Sequence, residues 1–202
     1  MIKNVIFDLG RVLYTFQPRN YLLELGYSDA QADKIAMCTF GSPLWAEYDR
    51  GTYSRDSLLK ELCSTHPGMA DDFLRVLGDD FTEKVISIIP SHLEFFYEVK
   101  RRGFGVYILT NFFDDGFAHC RRRDAFLGDA DGIVVSAYEK LVKPEPEIYK
   151  LILGRYGLAA EETLFIDDMP ENTEAAKKLG IHAITFTNLD DCRAKFEDLV
   201  RI

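Results

Sequence analysis

Short apolar runs in this sequence stop on residues whose types together suit chemistry at phosphorus. Asp8 closes the run Asn4–Phe7, Thr110 and Asn111 close Val106–Leu109, and Asp167–Asp168 close Leu164–Ile166. Lys143, followed by Pro144, lies in the segment after a further run, Gly132–Val135. An aspartate can attack phosphorus and hold the phosphoryl group covalently. Grouped carboxylates suit magnesium, a hard cation that takes oxygen ligands, and the metal would offset the repulsion between a carboxylate nucleophile and an incoming phosphate. The Thr110 hydroxyl and nearby backbone N–H groups can donate to phosphoryl oxygens, and the Lys143 ammonium can neutralise charge on both the nucleophile and the transferring group. Taken singly, each feature has an ordinary explanation. An Asp after a strand is a turn residue or helix cap, a Lys before Pro a solvated loop residue, and an acidic pair a helix N-terminus. Their occurrence in order, at successive strand ends, favours the chemical reading.

For these groups to meet, the apolar runs must lie side by side. Most of the five, with His182–Phe186 as the last, lack strict alternation, as parallel strands covered on both faces do. Leu93, Phe96 and Val99 fall at helical spacing before Gly103. Ile148, Ile152 and Tyr156 do so between Pro144 and Gly157, and Ala175, Ala176 and Leu179 before Gly180. Strand alternating with helix predicts an α/β fold with a doubly wound, Rossmann-like parallel sheet, in which ligands bind beyond the carboxyl ends of the strands. The stretch from Gln17 to Ile88 breaks this rhythm. Tyr21, Leu22 and Leu25 fit one helix, Leu58, Leu59, Leu62 and Cys63 another, and no convincing strand is present. A structureless loop of that length is uncommon in a compact domain, so an all-helical insertion is expected. The domains that follow are a core of residues 1–16 and 89–202 and an inserted helical unit of 17–88.

Composition narrows the partners. Of the 202 residues, 47% are hydrophobic and 28% charged, enough for a packed core. A formal net charge of -9 disfavours nonspecific contact with nucleic acid or an anionic membrane surface. No apolar run is long enough to cross a bilayer. Cys38, Cys63, Cys120 and Cys192 show no CxxC spacing, and His66, His92, His119 and His182 no ligand spacing, so zinc and redox motifs have no basis. Free thiols in a reducing cytosol are expected. The opening run is interrupted by Asp8 and lacks a small-residue cleavage site, so it reads as a strand and not a signal peptide. The expectation is a cytoplasmic protein acting on a small phosphorylated metabolite; the sequence is silent on oligomeric state.

IFDLGRVL, LTN, KPEPEIY and FIDDMPEN resemble the four motifs of the haloacid dehalogenase-like hydrolase superfamily. The chain is similar to its capped sugar-phosphate phosphatase branch, which includes α-glucose-1-phosphate phosphatases and the N-terminal phosphatase domain of soluble epoxide hydrolases. YDRGTYSRDSL resembles a cap segment of that branch. The resemblance implies a magnesium (Mg2+)-dependent phosphatase working through an aspartyl phosphate, possessing a helical cap that closes over substrate. It implies Asp8 as nucleophile and metal ligand, the carbonyl of Gly10 as a second ligand, and Asp168 as a metal-binding acid with Asp167 a direct or indirect partner. Thr110 and Asn111 match the phosphate clamp, and Lys143 the motif cation. Asn172 matches a position that either orients the acidic loop or caps a helix.

One departure matters. Phosphatases of this superfamily usually carry a second Asp two residues after the nucleophile, which protonates the leaving group and later activates water. Here that residue is Gly10. General acid–base help is worth roughly 10²–10⁴-fold in rate. Glu47, Tyr48 and Arg50, near Trp45 in the insertion, are candidates to replace it. Lys140 stands where glycine is frequent and is expected to point to water; Arg11 suits the crevice or the surface equally. The loss leaves two other readings open: a haloacid dehalogenase needing no metal, against which the acidic pair argues, and a non-catalytic phospholigand-binding protein.

Overall fold

The computed structural model describes residues 1–201. Five parallel strands form one sheet: β1 (Asn4–Phe7), β2 (Gly105–Thr110), β3 (Gly132–Val135), β4 (Thr163–Asp167) and β5 (His182–Thr185), in the order β3-β2-β1-β4-β5. The strand that carries Asp8 is thus central. Phe7 stands opposite Ile108 of β2 and Ile166 of β4. Asp8 N–H donates to the Ile166 carbonyl at 2.9 Å, extending the ladder one residue and setting Asp8 level with Asp167.

Both faces of the sheet are covered, which explains the unalternating apolar runs. Val5 and Phe7 enter one core cluster, whereas Ile6 enters another. This follows from the two-residue period of a strand.

Seven α-helices lie between β1 and β2, and the first six make up the inserted segment: α1 (Pro18–Glu24), α2 (Asp29–Thr39), α3 (Pro43–Asp49), α4 (Arg55–Thr65), α5 (Ala70–Val76) and α6 (Phe81–Val85). Their starts are written locally. Ser28 and Gln31 form a reciprocal capping box on α2, Ser42 followed by Pro43 opens α3, and Ser54 caps α4. The connections into and out of this helical segment run side by side, with Thr15 N–H donating to the Ser87 carbonyl at 2.7 Å.

The remaining helices flank the sheet. α7 (Pro90–Arg101), α8 (Asp114–Arg123) and α12 (Leu189–Val200) bury Phe96, Phe117 and Phe196 on one face, and α10 (Pro146–Tyr156) and α11 (Pro170–Lys178) bury Ile152 and Ala176 on the other. A short α9 (Ser136–Glu139) follows β3. The three expected stops are present, as Gly103, Gly157 and Gly180 all have positive φ. The helical segment shares its core with the first face. Trp45 and Tyr48 of α3 pack on Phe113, beyond β2, at ring separations of 5.4 and 4.7 Å. Among the described residues no helix is long and apolar enough to cross a membrane.

Candidate active site

The strand ends bring together most of the residues that the sequence singles out. Asp8, Lys143 and Asp167 are all buried. Lys143 Nζ lies 2.8 Å from Asp8 Oδ1 and 2.7 Å from Asp167 Oδ2, and donates to the Leu109 carbonyl at 3.1 Å. The loop that delivers it is held by Asn111. The Asn111 side chain donates to the Lys143 carbonyl at 2.9 Å and accepts from the Lys143 N–H at 2.8 Å. Both ends of that amide are therefore engaged in positioning the lysine.

Asp167 is similarly occupied. Its Oδ1 accepts from the Met169 N–H at 2.8 Å and from Asn172 Nδ2 at 2.9 Å, while Oδ2 takes Lys143. Asn172 thus orients the acidic loop. Asp168 is less buried, and Arg11 reaches it only at 3.5 Å, with a guanidinium that is largely exposed. The Thr110 hydroxyl oxygen is buried without any hydrogen-bond partner. Leaving such a group unpaired costs about 1–3 kcal/mol.

The charges do not balance locally. Carboxylate oxygens of Asp8, Asp167 and Asp168 lie within 4.8 Å of one another. Burial pushes the Asp8 carboxyl up to about 7, and the charges of Asp167 and Asp168 add to the rise, against the pull of Lys143. Burial and Asp167 raise Asp168 as well. Burial works against the Lys143 ammonium, but Asp167 and Asp8 outweigh it and its pKa is raised. Three carboxylates against one close ammonium form an oxygen-only donor set short of positive charge. That set fits a magnesium ion.

A cavity of about 160 Å³ opens over Asp8. Gly10, Asp49 and Asp168 supply polar lining, and Phe16, Trp45, Ile86, Phe112, Phe113 and Met169 apolar lining. The proposed substitutes for the missing acid do not line it. The Tyr48 hydroxyl donates to Asp115, Arg50 makes two hydrogen bonds to Glu145, and Glu47 accepts from Arg50 and Thr52. Lys140 is exposed, as expected, and does not line the cavity. Its ammonium donates to the Gly51 carbonyl, and its backbone is left-handed at φ 59. Arg11 does line the cavity.

Sequence reasoning overlooked Asp49, the last residue of α3. Its half-buried carboxyl faces the cavity and is pushed up to about 7 by burial, then by Asp8, with Lys143 and the Phe113 backbone N–H opposing. The signal was present. Asp49 is four residues after Trp45 and therefore lies on its helix face, whereas Glu47, two residues after it, does not.

A parallel sheet with an acid-rich crevice at the carboxyl end of its central strand places the chain in the doubly wound α/β class. A profile for haloacid dehalogenase-like hydrolases matches residues 2–180, and the chain belongs to that family. It is 30% identical to a sesquiterpene phosphatase of Aspergillus oryzae, over 92% of this chain and 90% of that one. It is 27% identical to a D-ribitol-5-phosphate phosphatase of Bacteroides thetaiotaomicron, over 96% of each. A HAD family enzyme of the latter organism, solved in complex with magnesium and inorganic phosphate, superposes with a TM-score of 0.71 at 22% identity, covering 93% of this chain and 95% of that one; this shows the shared fold. Other relatives are much longer. The chain spans 13% of a mouse acyl-CoA dehydrogenase family member 10 and 37% of a drimenol cyclase of Aspergillus calidoustus.

Proposed function

We propose that this chain is a magnesium-dependent phosphatase that hydrolyses the phosphomonoester of a small metabolite through an aspartyl phosphate on Asp8. The observation that carries this reading is the buried Asp8 held beside Lys143 at the end of the central strand, within an oxygen-only acidic cluster and near the unpartnered Thr110 hydroxyl. Asp8, the Gly10 carbonyl and Asp168 would hold the metal. Asp167, whose oxygens already accept three hydrogen bonds, acts chiefly by fixing Lys143. When bound, magnesium supplies positive charge to the nucleophile and to the phosphoryl oxygens. Lys143 favours the ionised form of Asp8 against burial and neutralises the transferring group, and Thr110 donates to a phosphoryl oxygen. Asn111 serves the phosphate site through the lysine loop. Residues 17–88 act as a cap over a core of 1–16 and 89–202. The free cysteines support work in a reducing compartment such as the cytoplasm.

The walls favour one kind of substrate. One relative is a sesquiterpene phosphatase and another a D-ribitol-5-phosphate phosphatase, so kinship leaves the organic part open. The apolar lining contains few free polar groups. The Tyr14 hydroxyl donates to Asp124 at 2.7 Å, Thr15 bonds to Ser87, and Asn111 is engaged with Lys143. Arg11 and Asp49 remain, too few for the several hydroxyls of a sugar, some of which would go unpaired at a cost in affinity. The preferred substrate therefore has a largely apolar body, in place of the sugar phosphate that the sequence suggests.

The test is release of inorganic phosphate from a panel of prenyl, aryl and sugar phosphates with magnesium and with chelator. Magnesium-dependent release, strongest on the apolar members and abolished in Asp8→Asn, is expected. Turnover retained by Asp8→Asn refutes the nucleophile. Phosphate binding with no release from any member would leave the non-catalytic reading standing.

A further inference from the structure

We propose that Asp49 is the general acid and base of this site, reaching the leaving group from the helical segment. The inference rests on the phosphatase reading above. When Asp8 attacks phosphorus, the bond from phosphorus to the leaving oxygen breaks, and the Asp49 carboxylic acid gives that oxygen its proton. In the second half, the Asp49 carboxylate takes a proton from water as the water oxygen attacks phosphorus. The bond between phosphorus and Asp8 breaks, inorganic phosphate leaves, and both carboxyl groups return to their starting states.

Elimination among the groups on the cavity leads to Asp49. Its acidic lining consists of Asp8, Asp49 and Asp168. Asp8 is the nucleophile, and Asp168 belongs to the acidic cluster at the strand ends. The Lys143 ammonium is buried between two carboxylates and the Leu109 carbonyl, so all of its donors are in use. The Tyr14 hydroxyl is committed to Asp124, and burial with that contact pushes its pKa far up. A guanidinium such as that of Arg11 does not exchange its proton near neutrality. Asp49 is the remaining group able both to give and to take a proton.

The local construction agrees. Gly10 contributes no side chain, and a Cβ built there meets nothing within 4 Å, so the space above Asp8 on that side is open to a leaving group. Asp49 faces the same cavity from α3, and that end of the helix is anchored to the core. The Ser136 hydroxyl donates to the Asp49 carbonyl, Tyr48 stacks on Phe113, and Arg50 is fixed to Glu145. A surface carboxylate at a helix end has no need of such fastening. A proton donor must lie within hydrogen-bond reach of the leaving oxygen and stay there.

Leaving-group dependence separates this role from a structural one. p-Nitrophenolate departs readily without a proton, whereas hexanolate does not. With magnesium present, Asp49→Asn should hydrolyse hexyl phosphate roughly 10²–10⁴-fold more slowly than the unmodified chain. With p-nitrophenyl phosphate it should still release p-nitrophenol in a rapid burst, followed by slow turnover as the phosphorylated Asp8 waits for an activated water. The burst amplitude counts folded, competent sites, so misfolding cannot imitate the result. Equal losses on both substrates, or no loss on either, overturn the assignment. If the unmodified chain releases no phosphate from any ester with magnesium, the phosphatase reading fails and this one with it; an active parent with an indifferent Asp49→Asn overturns this inference alone.

Discussion

Arg50 grips Glu145 with two parallel hydrogen bonds, Nη1 to Oε2 at 2.9 Å and Nη2 to Oε1 at 2.6 Å. This pair ties the residue after Asp49 to the second residue after Lys143, and so couples the wall of the cavity to its cationic floor. Glu145 also accepts from the Val142 N–H at 3.3 Å, which shapes the lysine loop from within. A bidentate guanidinium–carboxylate contact fixes orientation as well as distance.

Glu145→Gln should accordingly damage activity more than stability. The partners are 25% and 36% exposed, so the pair is worth no more than about 1 kcal/mol. A shift of about 1 Å in a reacting group can cost on the order of 10²-fold in rate. We expect kcat to fall between about tenfold and that limit, with only a small change in Tm. The Arg50 contact holds the Glu145 carboxyl below its ordinary value of 4.5. A lowered folded-state pKa means that the contribution is complete above 4.5 and is lost as pH falls through the depressed value. Thermal melts of the parent and variant should therefore differ by a constant amount at neutral pH and converge in acid.

Magnesium should stabilise the protein through Asp168. Ligand binding to the folded state alone adds about 2.7 kcal/mol at a hundredfold excess over Kd. We expect Tm to rise with magnesium in the parent and to rise much less in Asp168→Asn. Asp8→Asn should melt no lower than the parent when magnesium is withheld, because it removes one of three mutually repelling carboxylates. An unchanged magnesium response in Asp168→Asn would remove that residue from the metal site.

How far the site could be read in advance depended on which level of structure places each residue. Asp8, Thr110, Asp167 and Asp168 end strands of a parallel sheet, and the run that precedes each one announces where it must sit. Lys143 needed only the further step that its loop returns to the same edge. Asn111 and Asn172 lay in the right place, but their work is set by hydrogen bonds to Lys143 and Asp167 that no spacing reveals. Asp49 was missed because its position depends on which face of α3 turns toward the sheet. That face is chosen by Trp45 and Tyr48 packing on Phe113, sixty or more residues away in sequence. The Lys140 contact was hidden for the same reason, since its partner Gly51 belongs to the inserted segment.

Removing the Lys143 charge should harm folding and chemistry together. Lys143→Met leaves Asp8 and the fully buried Asp167 without their shared cation. Breaking a buried pair in this way costs about 3–5 kcal/mol. Urea denaturation should show a loss of that size. Adding Asp167→Asn should recover part of the stability, because one uncompensated carboxylate is gone, while phosphate release stays lost. Full recovery of turnover in the double variant would show that Lys143 serves the fold and not the reaction.

Thr110→Val separates function from stability in the opposite direction. Valine nearly matches threonine in shape and lacks the hydroxyl, which in this protein is buried with no partner. Since an unpaired buried hydroxyl destabilises by about 1–3 kcal/mol, its removal should leave the urea midpoint unchanged or raise it. Catalysis should move the other way. Loss of one preorganised donor to a developing oxyanion typically costs about 10²–10³-fold in kcat. A variant that is at least as stable as the parent and slower by that factor places the hydroxyl on the phosphoryl group. A variant that loses stability while keeping its rate would show instead that Thr110 satisfies the protein and not its substrate.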